Sequence, residues 1–308
     1  MRKLFILSLG ILFFSLNVKG SVFFTNSIFI GSDEYIQLRD SIEKMKVLRN
    51  SSYLVSADYG KKIIELAKET EDPSLIGQAE KEQGTTYMYQ GVFDSALYHY
   101  NKAIPEFEKA KKKLDVGKLM NNIAIVYRRT NKAELALEKY TEAKEIYETL
   151  DYKKGIASVD FNIGCIYHSF GDYNQTEKYY LLALSLLEEL KYNDRLARVN
   201  MNLGVLYIDQ RQLKKARTYL NKAKVLDEEY GTPKQKATIL LNLGQVAYYE
   251  NDYVKALAYY KECEQVRLKM DDVWGLPKSY NWIAQCYTAM ERFDEALVAL
   301  QKSENLCV

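Results

Sequence analysis

Histidine, proline, cysteine and tryptophan are all scarce in this chain: 308 residues carry two, four, four and two of them. His99 and His168 lie far apart, so no local metal pair exists. Cys165, Cys263, Cys286 and Cys307 show neither a close pair nor metal-ligand spacing. There is no glycine-rich dinucleotide fingerprint, no phosphate-binding GxxxxGK[ST] run, and no Ser or Cys set in a nucleophile turn. We therefore expect no enzyme, no metal and no cofactor. The formal charge of +2 gives no basic excess, which argues against a nucleic-acid partner. With so little proline, long helices can run uninterrupted.

What the chain has in abundance is tyrosine, 26 in all, and a period. Gly84, Ala124, Gly164, Gly204, Gly244 and Ala284 recur at one fixed spacing, each inside the same frame. Tyr87, Tyr127, Tyr167, Tyr207, Ala247 and Tyr287 follow one helical step later. Further on, Ala96 and Ala136 head a small column, Tyr100, Tyr140, Tyr180 and Tyr260 a large one, and Ala103 and Ala143 a second small one. Within a unit the apolar residues fall at three- and four-residue steps, the stripe of a helix, with a break between two runs. Gly91, Asn131, Gly171 and Asn251 suit a left-handed helix end at that break, whereas Arg211 and Glu291 fit it less well. Phe93, Tyr173, Leu213, Tyr253 and Phe293 stand two residues beyond, placed to seal each hairpin. Self-similarity of this kind means stacked helical hairpins, whose small columns let helix axes approach while tyrosines fill the gaps.

The segments Asn162-Ile163-Gly164-Cys165-Ile166-Tyr167 and Asn202-Leu203-Gly204-Val205-Leu206-Tyr207 resemble the tetratricopeptide repeat. The resemblance implies an all-α fold, a right-handed α-solenoid of helix–turn–helix units. We place six units over 77–308, starting near 77, 117, 157, 197, 237 and 277, behind a divergent helical repeat at 35–76. These units are longer than the common form of the repeat, which predicts second helices of roughly 16–18 residues. Pro73 and Pro233 read as first-turn prolines behind the caps Asp72 and Thr232. Pro105 falls inside a second helix and predicts a kink or local break near 101–105.

The ends differ from the array. Met1-Arg2-Lys3, an apolar run over Leu4–Leu16 and small residues at Val18 and Gly20 form a secretory signal anatomy, with cleavage expected after Gly20 and a linker at 21–34. Loss of Arg2, Lys3 and Lys19 would take the formal charge from +2 to −1. We expect an exported, periplasmic chain with no membrane span once processed. Cys263 and Cys286 are the one pair worth testing for a disulfide there. At the other end Leu297, Leu300 and Leu306 lack an obvious capping helix, which leaves room for self-association or a docked partner.

In the repeat family, first helices line the concave face, with contacts from the second, fifth, ninth, twelfth and thirteenth positions of a unit. Carried onto this chain, the resemblance nominates Asn121, Ile125 and Arg128, then Phe161, Cys165 and His168, Met201, Val205 and Ile208, and Leu241, Gln245 and Tyr248. Apolar anchors with a few amides and one or two charges suit a peptide or helix laid along a groove. Asn122, Asn162, Asn202 and Asn242 form a column that either bonds a ligand backbone, as in kinesin-light-chain-like arrays, or satisfies local backbone groups. The whole resembles the extracytoplasmic input region of Bacteroidetes-type sensor regulators. It implies a non-enzymatic protein- or peptide-binding module, a ligand-sensing component or adaptor of a regulatory system. A structural scaffold for envelope assembly is the alternative.

Overall fold

The computed structural model describes residues 32–48 and 53–306, and the expected leader and most of the linker lie outside them. Every described element is helical. α1 (Ser32–Leu48), α2 (Tyr53–Glu69), α3 (Pro73–Tyr89), α4 (Phe93–Lys109), α5 (Lys113–Arg129), α6 (Ala133–Thr149) and α7 (Lys153–Ser169) make the first half. α8 (Tyr173–Glu189), α9 (Asn193–Asp209), α10 (Leu213–Tyr230), α11 (Pro233–Tyr249), α12 (Tyr253–Lys269), α13 (Leu276–Ala289) and α14 (Phe293–Glu304) complete it. Each odd helix from α3 onward packs chiefly on the even helix that follows, then that helix packs on the next pair. Odd helices also touch one another, α3 with α5, α5 with α7 and α9 with α11, and so form one layer of an α-solenoid. The second helices α4, α6, α8 and α12 have 17 residues, α10 has 18 and α14 has 12.

The period has a direct packing cause. A Cβ built on Gly84 would stand 2.7 Å from Tyr100, one on Gly164 2.6 Å from Tyr180, and one on Gly244 2.4 Å from Tyr260. The three rings are fully buried. Their faces lie on the glycine backbone, so the small column is the socket for the large one. One step along, the second aromatic column stacks across the same hairpin: Tyr87 on His99, Tyr167 on Tyr179 and Tyr207 on Tyr219, with centroids 5.3, 5.6 and 5.4 Å apart.

A second seam, between hairpins, escaped the sequence reading. Gly77 and Gly117 face Phe107 and Tyr147 across it, with an added Cβ 3.0 and 2.9 Å from those rings. Leu187 continues the large column, but Asp227 and Arg267 then occupy it, both nearly buried. Asp227 Oδ1 has no hydrogen-bond partner among the described residues. Arg267 is held by Asp272 and by the carbonyl of Gly275.

The turns are uniform. Arg211 and Glu291 adopt φ of 60° each, beside Asn131 at 57° and Gly91 at 78°. The turns between hairpins do the same at Glu71, Lys111, Asp151, Lys191 and Asp271. In each hairpin the residue after the left-handed one donates its N–H back across the turn, as Lys132 does to Tyr127 O at 2.8 Å and Gln212 to Tyr207 O at 2.8 Å. Those bonds satisfy helix-end carbonyls and hold side chains in a backbone region that glycine favours. The turn at Gly231 is the exception, with an extended backbone in place of the left-handed residue. Asp72 accepts from Ser74 N at 2.7 Å and Thr232 Oγ1 from Gln235 N at 3.2 Å, so both prolines sit behind working caps.

Two local expectations need correction. α4 runs unbroken through Pro105. Asn101, whose carbonyl loses its donor, and Pro105 are both on the exposed face, where water can satisfy the lost bond. Phe293 does not seal its hairpin: it is 64% exposed, because no further pair stacks on α14 among the described residues. Cys263 and Cys286 are free thiols, and Cys263 donates instead to Ala237 O at 3.1 Å.

Candidate binding groove

The inner layer of odd helices encloses an open cavity of about 580 Å³ running from α3 across α5 and α7 to α9. Asn121, Ile125, Arg128 and Phe161 line it, as the sequence proposed. Phe161 is fixed by stacking on Tyr180, centroids 5.5 Å apart. The tyrosine column reaches this wall from beneath. Tyr100 donates to Thr85 Oγ1 at 3.2 Å and Tyr180 to Cys165 Sγ at 3.5 Å, each in its own unit. The equivalent neighbours of Tyr140 and Tyr260 are Ile125 and Gln245, and both hydroxyls stay buried without a hydrogen-bond partner. Burial pushes the Tyr140 phenol up to about 12 against the opposing pull of the Arg128 guanidinium. Asn121 Oδ1 and Arg128 Nε are likewise buried without partners.

Further along, Met201, Gln245 and Tyr248 are half-buried on α9 and α11. His168 is half-buried too, and its Nε2 lies 2.9 Å from Asp209 Oδ2, a partner the sequence did not supply. Tyr248 meets the edge of Trp282 at 5.4 Å, and Trp282 stacks on Tyr260 at 5.6 Å, which makes this end of the wall aromatic. Ile208 and Leu241 do not line this cavity. Both are buried, Ile208 in the core around Leu206 and Leu220, Leu241 in the core around Tyr260 and Ile283. The repeat register puts them on the right helices, but the adjoining units cover them.

The asparagine column divides. Asn202 Nδ2 donates to Arg198 O at 2.9 Å, the local bond of the bland alternative. Asn242 is buried and its Nδ2 has no hydrogen-bond partner among the described residues. Asn122 and Asn162 line the cavity, and no hydrogen bond within the described chain engages either amide. Sequence reasoning stopped short of Lys118, Arg129 and Arg198, although the second and thirteenth unit positions were available as a signal. It missed Lys154 and Arg195, which enter from the starts of α7 and α9. Among the described residues, no three His, Cys, Asp or Glu gather as metal ligands would, and no helix is long and apolar enough to cross a membrane.

A tetratricopeptide-repeat family profile matches residues 75–149, 155–224 and 195–269, and a second profile of the same description matches 277–307. Among curated proteins none matches the chain significantly. Three solved structures share the fold. BtubC (BKLC) from P. vanneervenii is 21% identical with a TM-score of 0.64, covering 72% of this chain and 93% of that one. The quorum sensor NprR from B. thuringiensis in apo form is 20% identical with a TM-score of 0.65, covering 89% and 85%. A Rap protein complexed with Competence and Sporulation Factor is 15% identical with a TM-score of 0.66, covering 90% and 88%. With matched profiles over most of its length, the chain belongs to the tetratricopeptide repeat family.

Proposed function

We propose that this chain is a non-enzymatic protein- or peptide-binding module whose ligand lies along the inner wall of odd helices. The observation that carries the reading is the pair of unengaged amides, Asn122 and Asn162, beside the apolar Ile125 and Phe161 in one continuous groove. Amides at a repeat spacing suit the N–H and C=O groups of an extended chain, while apolar neighbours supply burial. The Rap complex shows that a solenoid of this fold is crystallised with a named factor, which supports the same use here. Export through the N-terminal leader and a sensing or adaptor role in a regulatory system complete the proposal.

The test is capture of ligand from extracts of the exported and cytoplasmic fractions by the purified chain, repeated with the paired variant Asn122→Ala/Asn162→Ala. Both side chains are polar, half-buried and without a hydrogen bond among the described residues, so circular dichroism should be unchanged. Loss of the captured species in the variant is the expected result. Undiminished capture would move recognition off the inner wall. Determining the N-terminal residue of the secreted protein tests export: Ser21 is expected, and an intact Met1 would remove the leader from the account. The scaffold reading draws on one observation, the uncovered Leu297, Val298 and Leu300 on α14.

A further inference from the structure

The groove across α3, α5, α7 and α9 has a charge pattern that the whole chain does not. Lys118, Arg128, Arg129, Lys154, Arg195 and Arg198 line it, and no Asp or Glu does. The chain overall is almost balanced, 43 basic residues against 41 acidic ones. A one-signed cluster on an inner wall is therefore a local arrangement, and among the described residues two of its six cations meet a carboxylate. Lys118 has Asp115 at 3.4 Å and Arg195 has Asp194 at 3.7 Å. No ion pair engages Arg128, Arg129, Lys154 or Arg198 among the described residues. Arg129 is anchored through Nη1 to Met88 O at 3.2 Å, and Lys154 lies over the Tyr192 ring at 4.9 Å. Both cations are thus held in place without being neutralised.

Toward the C-terminal ends of α7 and α9, outside the lining of this cavity, His168 lies 2.9 Å from Asp209.

We infer that the first half of the groove, over α3 to α9, recognises an acidic peptide segment, an inference that rests on the peptide-binding reading above. Guanidinium forks donate to carboxylates in a bidentate manner, and a cleft lined by one sign of charge concentrates the opposite sign. The buried, unpartnered Arg128 Nε and Asn121 Oδ1 add a donor and an acceptor at the floor of the same site. Asn122 and Asn162 are spaced to hold the peptide backbone while Arg128, Lys154 and Arg198 meet its Asp or Glu side chains. A peptide is favoured over a nucleic acid because the six basic groups of this groove are interleaved with Ile125, Met88 and Leu187 rather than spread in a stripe.

The experiment selects random short peptides displayed on phage against the purified chain. The winners are resynthesised with acetylated and amidated ends, and binding is followed by fluorescence anisotropy. Enrichment of Asp and Glu is expected, with about tenfold weaker binding when the peptide's Glu residues become Gln, and affinity that falls as salt rises. Lys154→Gln and Arg198→Gln, both at exposed positions, should each weaken binding about tenfold, while Lys214→Gln on α10 leaves it unchanged. Neutral or basic winners that still require Asn122 and Asn162 would overturn the acidic assignment and leave the groove reading standing. An absence of any groove-dependent peptide would overturn both. Binding that disappears on amidation would assign the site to a single terminal carboxylate, and tighter binding of an oligothymidylate strand would assign it to nucleic acid. Either result overturns the inference.

Discussion

Replacing Gly244 by Ala tests the socket that sets the repeat. A Cβ at this position would come within 2.4 Å of Tyr260 Cε1, 2.7 Å of Cδ1 and 2.8 Å of Cζ. The ring is 0% exposed and stacks on Trp282 at 5.6 Å, so its movement is restricted by a second aromatic. Overpacking of this kind costs about 2–3 kcal/mol. Opposing it, Ala is about 1 kcal/mol better than Gly inside a helix. The net expectation is a loss of about 1–2 kcal/mol, smaller than the steric cost alone. The same substitution made beside Tyr260→Ala has no ring to meet, and only the helix-propensity gain remains. It should then stabilise by about 1 kcal/mol, reversing its sign. Urea unfolding at low temperature, comparing midpoints at constant slope, reads all four corners of this cycle. An equal loss in both backgrounds, or a gain in the wild-type background, would refute the socket argument.

Arg211→Gly and Glu291→Gly should each stabilise by about 0.5–1 kcal/mol, since both residues hold φ of 60° where only glycine is unstrained; a lower melting temperature would contradict this. Asp227→Leu restores the apolar seam filled elsewhere by Phe107, Tyr147 and Leu187, and should gain about 1–2 kcal/mol near neutral pH. Burial raises the Asp227 pKa above its unfolded value, with Lys236 opposing. Its contribution to stability is therefore greatest below the unfolded pKa and is lost as pH rises through the folded one, so the variant's advantage should shrink on acidification. A gain that grows toward low pH would break that reasoning. Trp274 is 94% exposed while Trp282 is stacked in the aromatic end of the wall. The Trp274→Phe variant, leaving a single tryptophan, should emit at short wavelength and resist acrylamide quenching; an emission typical of a solvated indole would displace Trp282 from that cluster.

How far the sequence could be read depends on which contacts obey the period. Gly84, Gly164 and Gly244 meet Tyr100, Tyr180 and Tyr260 inside single hairpins, and one unit contains all the information needed to see it. The seam between hairpins joins residues of neighbouring units, and its large column changes from Phe107 to Asp227 to Arg267, which disguised it. Turn chemistry was legible where Gly or Asn marked it. It was hidden at Glu71, Lys111 and Lys191, where the backbone bonds across the turn impose the left-handed conformation on ordinary residues. In the groove, repeat position chose a helix and face on which Asn121, Ile125, Arg128 and Phe161 line the cavity. It failed for Ile208 and Leu241 because the offset between successive hairpins decides which residue of a face is left open, and that offset is not written in any one unit.

Whether recognition happens on the inner layer is best measured by photo-crosslinking. A benzophenone amino acid is placed at Asn122 or Asn162 in the groove, and at the exposed Thr141 on α6 or Leu181 on α8, with the ligand or a selected peptide present. The account predicts adducts from the two groove positions and none from the two on the even helices. Adducts from Thr141 and Leu181 alone would contradict it.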